Sequence, residues 1–425
     1  MQILIDGLNL ALEQGTGIKT YALNLAATAK ELGHSVQLLY GKNASTSSDP
    51  IVREVTFYDA ALPRKGLQLL KPWQFTRDAV SGFYPVDIPN NSVVIKNAIE
   101  TPGFGAYKKY NAPRLFQRAN DIFQAFSRFS RVHLPEKVNI AHWTYPMPLR
   151  VDGAANVYTI HDLVPLRLPY TTTDSKKRFY KLCRQIAATA DHIITVSEAS
   201  RRDIIDILGV DEKRVTNTYQ AVQLNAADMP SDTESARLIE QIYHLPPGGY
   251  FLFFGAIEPK KNVKRLVDAF ISSKVKAPLV IIGAKAWLSD RELSTLEGLQ
   301  KAGRAPQNII QLEYVPRNIL YAFIKQAKAV CFPSIYEGFG LPIIEAMMFD
   351  TPVLTSNVSC MPEIAGDAAL KVDPYAIHEI SRALEQLDTS ATLRDELITK
   401  GRERASLFSV DRYQAELINL YKKIS

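Results

Sequence analysis

Short unbroken apolar runs alternate along this chain with stretches in which apolar residues return every three or four positions. The runs cover residues 1–6, 35–40, 138–142, 155–160 and 193–196, then 250–254, 279–283, 309–315 and 329–332. Runs of this length without polar alternation predict parallel strands buried on both faces. The periodic stretches predict helices. Tyr21, Leu25 and Leu32 share one face and Gly33 closes the segment, while Ser197 stands as an N-cap before Ile204 and Ile207, with Gly209 as the stop. In the second half Val263, Leu266, Val267 and Phe270 form an apolar stripe. After Pro342, a residue suited to a first helical turn, Ile343, Ile344 and Met347 form another.

The order of these elements is strand, turn, helix, strand, twice over, which predicts an α/β fold of two doubly wound Rossmann-like domains. Residues 221–249, rich in Ala, Asp, Ser and Pro and ending in Pro246-Pro247-Gly248-Gly249, mark the boundary. The expected division is therefore a first domain over 1–220, a linker over 221–249, a second domain over 250–405 and a tail helix over 406–425. Residues 45–137 carry less pattern. Arg64, Lys65, Lys71, Trp73, Phe75, Arg77, Arg114, Phe116, Arg118, Phe123, Phe126 and Arg131 interleave bases with rings there. That spacing suits a cationic amphipathic helix for an anionic membrane, or equally an inward aromatic stripe with a solvated basic face. No nucleic-acid-binding motif accompanies the charge.

Composition narrows the setting. With 46% apolar residues, 425 positions can bury large cores, and the net charge of +6 is too modest to imply nucleic acid. No run of about 18 apolar residues occurs, and the opening reads as a strand rather than a signal peptide. Three scattered cysteines, Cys183, Cys331 and Cys360, argue against a disulfide framework or a zinc site and for a reducing, cytoplasmic environment.

The candidate chemistry sits where strands end. After the run 329–332, Gly338-Phe339-Gly340 supplies a loop that a ligand can approach closely, and a helix N-terminus follows, so free N–H groups converge on an anion. Glu337 and Glu345 flank that turn. Carboxylates hold phosphate poorly but accept well from sugar hydroxyls, so the stretch describes a nucleotide-sugar site: diphosphate on the amides, a hexose on one glutamate and a ribose on the other. Lys260 and Lys261 stand at a second glycine-turn-to-helix junction, where ammonium groups suit a diphosphate. His161-Asp162 ends the run 155–160, the place where open α/β sheets carry functional groups. Gly15-Thr16-Gly17 is a tight turn after the first strand, and His142 and His192 read as structural.

Glu337 and Glu345, with seven residues between them around Gly-Phe-Gly-Leu-Pro, resemble the E-x7-E motif of family-4 retaining glycosyltransferases of the GT-B fold, whose two domains face across a cleft. The segment containing His161, the loop with Lys260 and Lys261, residues 309–315 and the string Met361-Pro362-Glu363-Ile364-Ala365-Gly366 resemble the same family. The resemblance implies an acceptor-binding first domain, with Gly15, Thr16 and Gly17 as its loop, and a nucleotide-sugar-binding second domain. It implies His161 and Glu337 at the reacting sugar. Donor contacts would come from Lys260, Lys261, Tyr314, Val315, Gly338, Phe339, Gly340, Leu341 and Glu345. One departure is Ala256, where members often carry Arg. No Asp-x-Asp occurs, so the implied reaction is metal-independent, with no cofactor besides the nucleotide-sugar substrate. The Ile257-to-Asn262 loop is similar to that of mannosyltransferases of surface-polysaccharide assembly, which implies GDP-mannose as donor and a glycan or lipid-linked acceptor. The basic and aromatic region between Arg64 and Arg131, with no transmembrane segment, suits peripheral attachment to the inner face of the membrane. A nucleotide-sugar 2-epimerase and a non-catalytic nucleotide-sugar-binding subunit remain the alternatives on this scaffold.

Overall fold

A computed structural model describes residues 1–12, 17–59, 72–91, 93–95, 107–224, 228–303, 306 and 308–424. The first half contains β1 (Gln2–Asp6), β2 (Ser35–Tyr40), β3 (Val86–Ile88), β4 (Lys108–Asn111), β5 (Ser130–Arg131), β6 (Ile140–Trp143), β7 (Leu149–Arg150), β8 (Ala155–Thr159), β9 (His192–Thr195) and β10 (Val215–Asn217). Eight of these form one sheet in the order β10-β9-β8-β6-β1-β2-β4-β3, while β5 and β7 pair separately. All neighbours in the large sheet run parallel except β3 against β4. The second half contains β11 (Phe251–Phe254), β12 (Leu279–Ile282), β13 (Ile309–Leu312), β14 (Ala329–Phe332), β15 (Val353–Ser356) and β16 (Ala369–Val372). They form a fully parallel sheet ordered β13-β12-β11-β14-β15-β16.

Both sheets are doubly wound, and in each the connection reverses beside its first strand. In the first sheet β1 lies between β2 and β6; in the second β11 lies between β12 and β14. At such a point the loops after adjacent strands diverge and leave a crevice at the carboxyl ends of the strands. The strands are buried on both faces, as in Ala329–Phe332 and Phe251–Phe254, which explains their unbroken apolar sequences. Side chains of β14 face both ways: Val330 and Phe332 join the core shared with the first half, and Ala329 and Cys331 the outer core.

The stretch 221–249 is more than a connection. Ser231 and Glu234 form a capping box for a helix over Asp232–Tyr243. The last helix, Val410–Ile424, lies against the first half: Tyr421 bonds His142 Nδ1 at 2.8 Å, and Gln414 donates to Glu31 at 2.8 Å. The two segments that pass between the halves meet, with Val222 N–H donating to the Phe408 carbonyl at 3.1 Å.

The basic and aromatic region resolves largely in favour of the inward reading. In the helix Leu115–Phe126, Leu115, Arg118, Ala119, Ile122 and Phe123 are all buried. Arg118 forms an ion pair with the buried Asp78 of the helix Pro72–Ser81 and stacks over Phe83. Trp73, Val80, Tyr84 and Phe126 do face solvent. Arg64, Lys65 and Lys71 lie outside the described residues, as do Gly15 and Thr16.

Candidate active site

Lys260 and Lys261 follow β11, and Glu337 follows β14, so the crevice between these neighbouring strands brings together residues far apart in sequence. Lys261 Nζ lies 2.6 Å from Glu337 Oε1 and 4.6 Å from the centre of the Phe332 ring. Lys260 Nζ lies 3.2 Å from Glu337 Oε2 and 3.7 Å from Glu258. Glu337 is almost wholly buried. Burial alone would push its carboxyl up, but the two ammoniums and their hydrogen bonds hold it below the usual range. Lys260 is held above its ordinary value by Glu337, Asp162 and Glu258, which outweigh the opposing effect of burial. Lys260 is thus enclosed by carboxylates, while Lys261 uses one of its three donors on Glu337.

The Glu337 loop is fixed on several sides. The Glu337 N–H donates to Ser359 Oγ at 3.3 Å, and the Ser359 hydroxyl returns a bond to the Glu337 carbonyl at 3.0 Å. Tyr336, one residue earlier, donates to the Asp203 carboxylate in the first half, and Arg167 holds the other oxygen of Asp203. At Gly338 a Cβ would sit 2.7 Å from the His161 carbonyl oxygen. Only glycine lets the backbones of the two halves approach this closely. Gly340, at φ 89°, takes the left-handed conformation that opens the helix Leu341–Met348.

His161 lies directly across. Its Nε2 is 2.9 Å from the Thr144 carbonyl, which can only accept, so Nε2 carries the proton and Nδ1 the lone pair. Tyr21 packs edge-on against the ring at 4.8 Å. Burial lowers the His161 pKa against the opposing effects of the Thr144 bond and Asp162, which favours a neutral imidazole. The Thr144 N–H donates to the buried carboxylate of Asp6, at the end of β1. Burial pushes Asp6 up to about 6.

The remaining predicted residues surround this centre. Glu345 lies on the helix Leu341–Met348; burial raises its pKa, and Arg317 and Lys261 act the other way. Leu341 reaches toward Gly17, whose Cβ would lie 3.2 Å from Leu341 Cδ1. Phe339 is a core residue, stacked edge-on against Phe408, so only its backbone is available to a ligand. Tyr314 is 73% exposed and Val315 is buried. Sequence reasoning missed Asp6, Asp203, Tyr336 and Arg167, because each acts through a partner on a distant element, and Glu258, whose partner Lys260 is two residues away but was read only as a phosphate ligand. The signal for Asp6 was present, since a carboxylate ending an otherwise apolar strand is out of place unless something holds it.

Residues 15–225 match Glycosyltransferase Family 4, and residues 238–404 match Glycosyl transferases group 1. The O-antigen chain mannosyltransferase B of Escherichia coli is 32% identical over 281 residues, covering 65% of this chain and 72% of that protein. This chain belongs to glycosyltransferase family 4. The serotype-specific mannosyltransferase WbdA of Escherichia coli is 23% identical over 348 residues, covering 78% of this family-4 chain but only 43% of the longer relative. Among solved structures, Anabaena HepE in complex with UDP-glucose superposes with a TM-score of 0.66 at 13% identity over the full length of both chains. The fold is GT-B, and the enzyme is a glycosyltransferase.

Proposed function

We propose that this family-4 enzyme is a retaining mannosyltransferase. It moves mannose from GDP-mannose to a hydroxyl of a glycan or lipid-linked acceptor during surface-polysaccharide assembly. The observation that carries the reading is the Lys260–Lys261–Glu337 cluster set against His161 across the cleft. The names of the relatives support mannose, and the UDP-glucose held by the HepE structure supports a nucleotide-activated donor.

The residues divide the work by their chemistry. Lys261 has donors left for a diphosphate, and the helix beginning at Leu341 presents its free N–H groups on the same side. Glu345 accepts from the ribose hydroxyls. Glu337, kept ionised by its lysines, accepts from the hexose, where positive character develops at the anomeric carbon. His161 presents Nδ1, the nitrogen not committed to Thr144, to a hydroxyl of the same sugar. The leaving phosphate assists the incoming hydroxyl on the face it vacates, which preserves the anomeric configuration.

Incubation with GDP-mannose and manno-oligosaccharides, with the product linkage read by NMR, tests the proposal. An α-linked product from the α-linked donor is expected. An inverted linkage, or donor consumed to an epimer with no acceptor needed, rejects it. A contact that strengthens in the transition state affects kcat, and one that stays constant affects binding. Glu337→Gln should therefore lower kcat with GDP affinity kept, and Glu345→Gln should weaken donor and free GDP together. If the two variants behave alike, the assignment of roles fails.

A further inference from the structure

Three large aromatic side chains stand in solvent where the two halves meet. Tyr170 belongs to the first half and is 65% exposed; Trp287 and Tyr375 belong to the second and are 45% and 48% exposed. They are nonetheless held in place. The Trp287 Nε1–H donates across the cleft to the Thr171 carbonyl at 2.8 Å. The Tyr375 phenol is raised by burial and by Tyr170, whose hydroxyl comes within hydrogen-bonding reach of it from the opposite half. The Arg265 guanidinium stacks 5.1 Å from the centre of the Tyr375 ring and is itself anchored by Asn262 Oδ1 at 2.9 Å.

Asn262 also ties this rim to the reaction centre. It follows Lys261 directly, and its amide donates to the Pro333 carbonyl at 3.0 Å and to the Pro374 carbonyl at 2.7 Å. Pro333 begins the loop that carries Glu337, and Pro374 precedes Tyr375. From Tyr375 an open groove of about 770 Å³ continues past Ile377, His378, Ser381 and Arg382 to Ser272 and Glu385.

Exposed aromatic rings held in place among polar groups offer a ligand apolar faces and hydrogen bonds together. The lining selects the ligand. An acyl chain requires contiguous apolar walls, and here hydroxyls and both signs of charge alternate. Nucleic acid requires a cationic excess, and Glu385 offsets Arg382. A protein partner requires about 800 Å² of buried surface with an apolar centre, whereas these rings are few and separated by polar groups. A pyranose has the matching chemistry: apolar C–H faces for the rings, and hydroxyl edges for Arg, Glu, His and Ser.

We propose that Tyr170, Trp287 and Tyr375, with the groove beyond Tyr375, form a track for the acceptor glycan behind its reacting end. This deepens the mannosyltransferase reading and rests on it. The enzyme then recognises a chain, and each sugar laid on the rim improves binding without touching the bond being made.

The test uses the full chain and α-linked manno-oligosaccharides of increasing length. In the wild type the acceptor KM is expected to fall with length by roughly ten-fold, the scale of one or two ring contacts. Tyr375→Ala and Tyr170→Ala should remove that dependence while the donor KM, and turnover of the shortest acceptor, stay unchanged. Trp287 emission, isolated by difference from Trp287→Phe, should shift as long oligosaccharides bind and not with mannose alone. A KM independent of length, or a length dependence that survives both tyrosine variants, overturns the track while leaving transfer itself intact. If no acceptor is extended, the mannosyltransferase reading fails on its own account. The emission titration then still decides the track, since no shift with any oligosaccharide rejects it.

Discussion

Glu337 shared between two ammoniums makes the two lysines unequal when removed. Lys260 stands between Glu337 and Glu258, so Lys260→Ala removes the ammonium paired with the buried Glu258, while Glu337 keeps Lys261. Breaking such a pair costs about 3 kcal/mol, and this variant is expected to lose that order of stability in urea denaturation. In Lys261→Ala, Lys260 still neutralises Glu337, so the loss should appear in the ligand. GDP binding should weaken by about 1.5–3 kcal/mol, the worth of a charge-assisted hydrogen bond, with guanosine binding little changed. Calorimetry with both ligands measures this, and equal losses would contradict it. Asp6 gives a pH dependence. Its folded pKa of about 6 lies above the 3.8 of an ordinary aspartate, so its contribution to stability is full below 3.8 and is lost as pH rises through 6. Asp6→Asn does not titrate. Thermal melts from pH 5 to 7.5 should therefore show the wild type losing ground against the variant as pH rises. A constant difference in Tm would mean that Asp6 does not titrate in this range.

At the scale of elements, the halves are joined by groups that satisfy one another's chain ends. The helix Glu198–Leu208 is capped by its own Ser197, which accepts from the Ser200 N–H, and also by Glu363 of the other half. That carboxylate accepts from the Glu198 N–H at 2.7 Å and the Ala199 N–H at 3.0 Å. Glu363→Gln replaces an anion at a helix N-terminus by a neutral group and leaves one N–H without its acceptor. A loss of about 1 kcal/mol in unfolding free energy is expected; an unchanged denaturation midpoint would show that the contact contributes nothing. This contact also marks the boundary of what the sequence discloses. Strands such as Phe251–Phe254 and Ala329–Phe332 are legible because burial on both faces removes polar residues from them, and Ser197 is legible because an N-cap acts within one turn. Glu363 could be read only as part of a family string, since its partners lie 164 and 165 positions away. The pairing of Glu337 with Lys260 spans 77 positions and leaves no local trace, although each residue was a candidate for a separate role. Arg118 was ambiguous for the same reason, because nothing near it announces Asp78. The helix Asp232–Tyr243 is different: Ser231 and Glu234 spell a capping box, outweighed there by the surrounding prolines and small residues.

For the whole molecule, the surface left by the inward packing of Arg118 and Phe123 bears on where the enzyme works. Trp73, with Arg77 over its ring, and Val80, Tyr84 and Phe126 remain exposed, and among the described residues no helix is long and apolar enough to cross a membrane. We expect this face to bring the first half to an anionic bilayer, with each basic residue near the surface contributing about 1 kcal/mol and salt weakening the contact. Flotation with anionic and neutral vesicles checks this; binding that ignores lipid charge, or none at low salt, rejects it.

The last helix has a bearing on how the chain is made. Tyr421 completes the hydrogen bonding of His142, and Leu417 and Leu420 join the core that holds Leu25 and Ile140. During synthesis the first half leaves the ribosome long before these residues exist. The second half, by contrast, has its entire sheet once β16 has emerged. The part made first is therefore expected to be finished last. A chain stopped at residue 409 should show a protease-sensitive first half beside a resistant second half, and equal resistance of the two would place completion of the first half earlier. Until residues 410–424 are translated, His142 lacks its Tyr421 partner and the core around Leu25 and Ile140 stays open on that side.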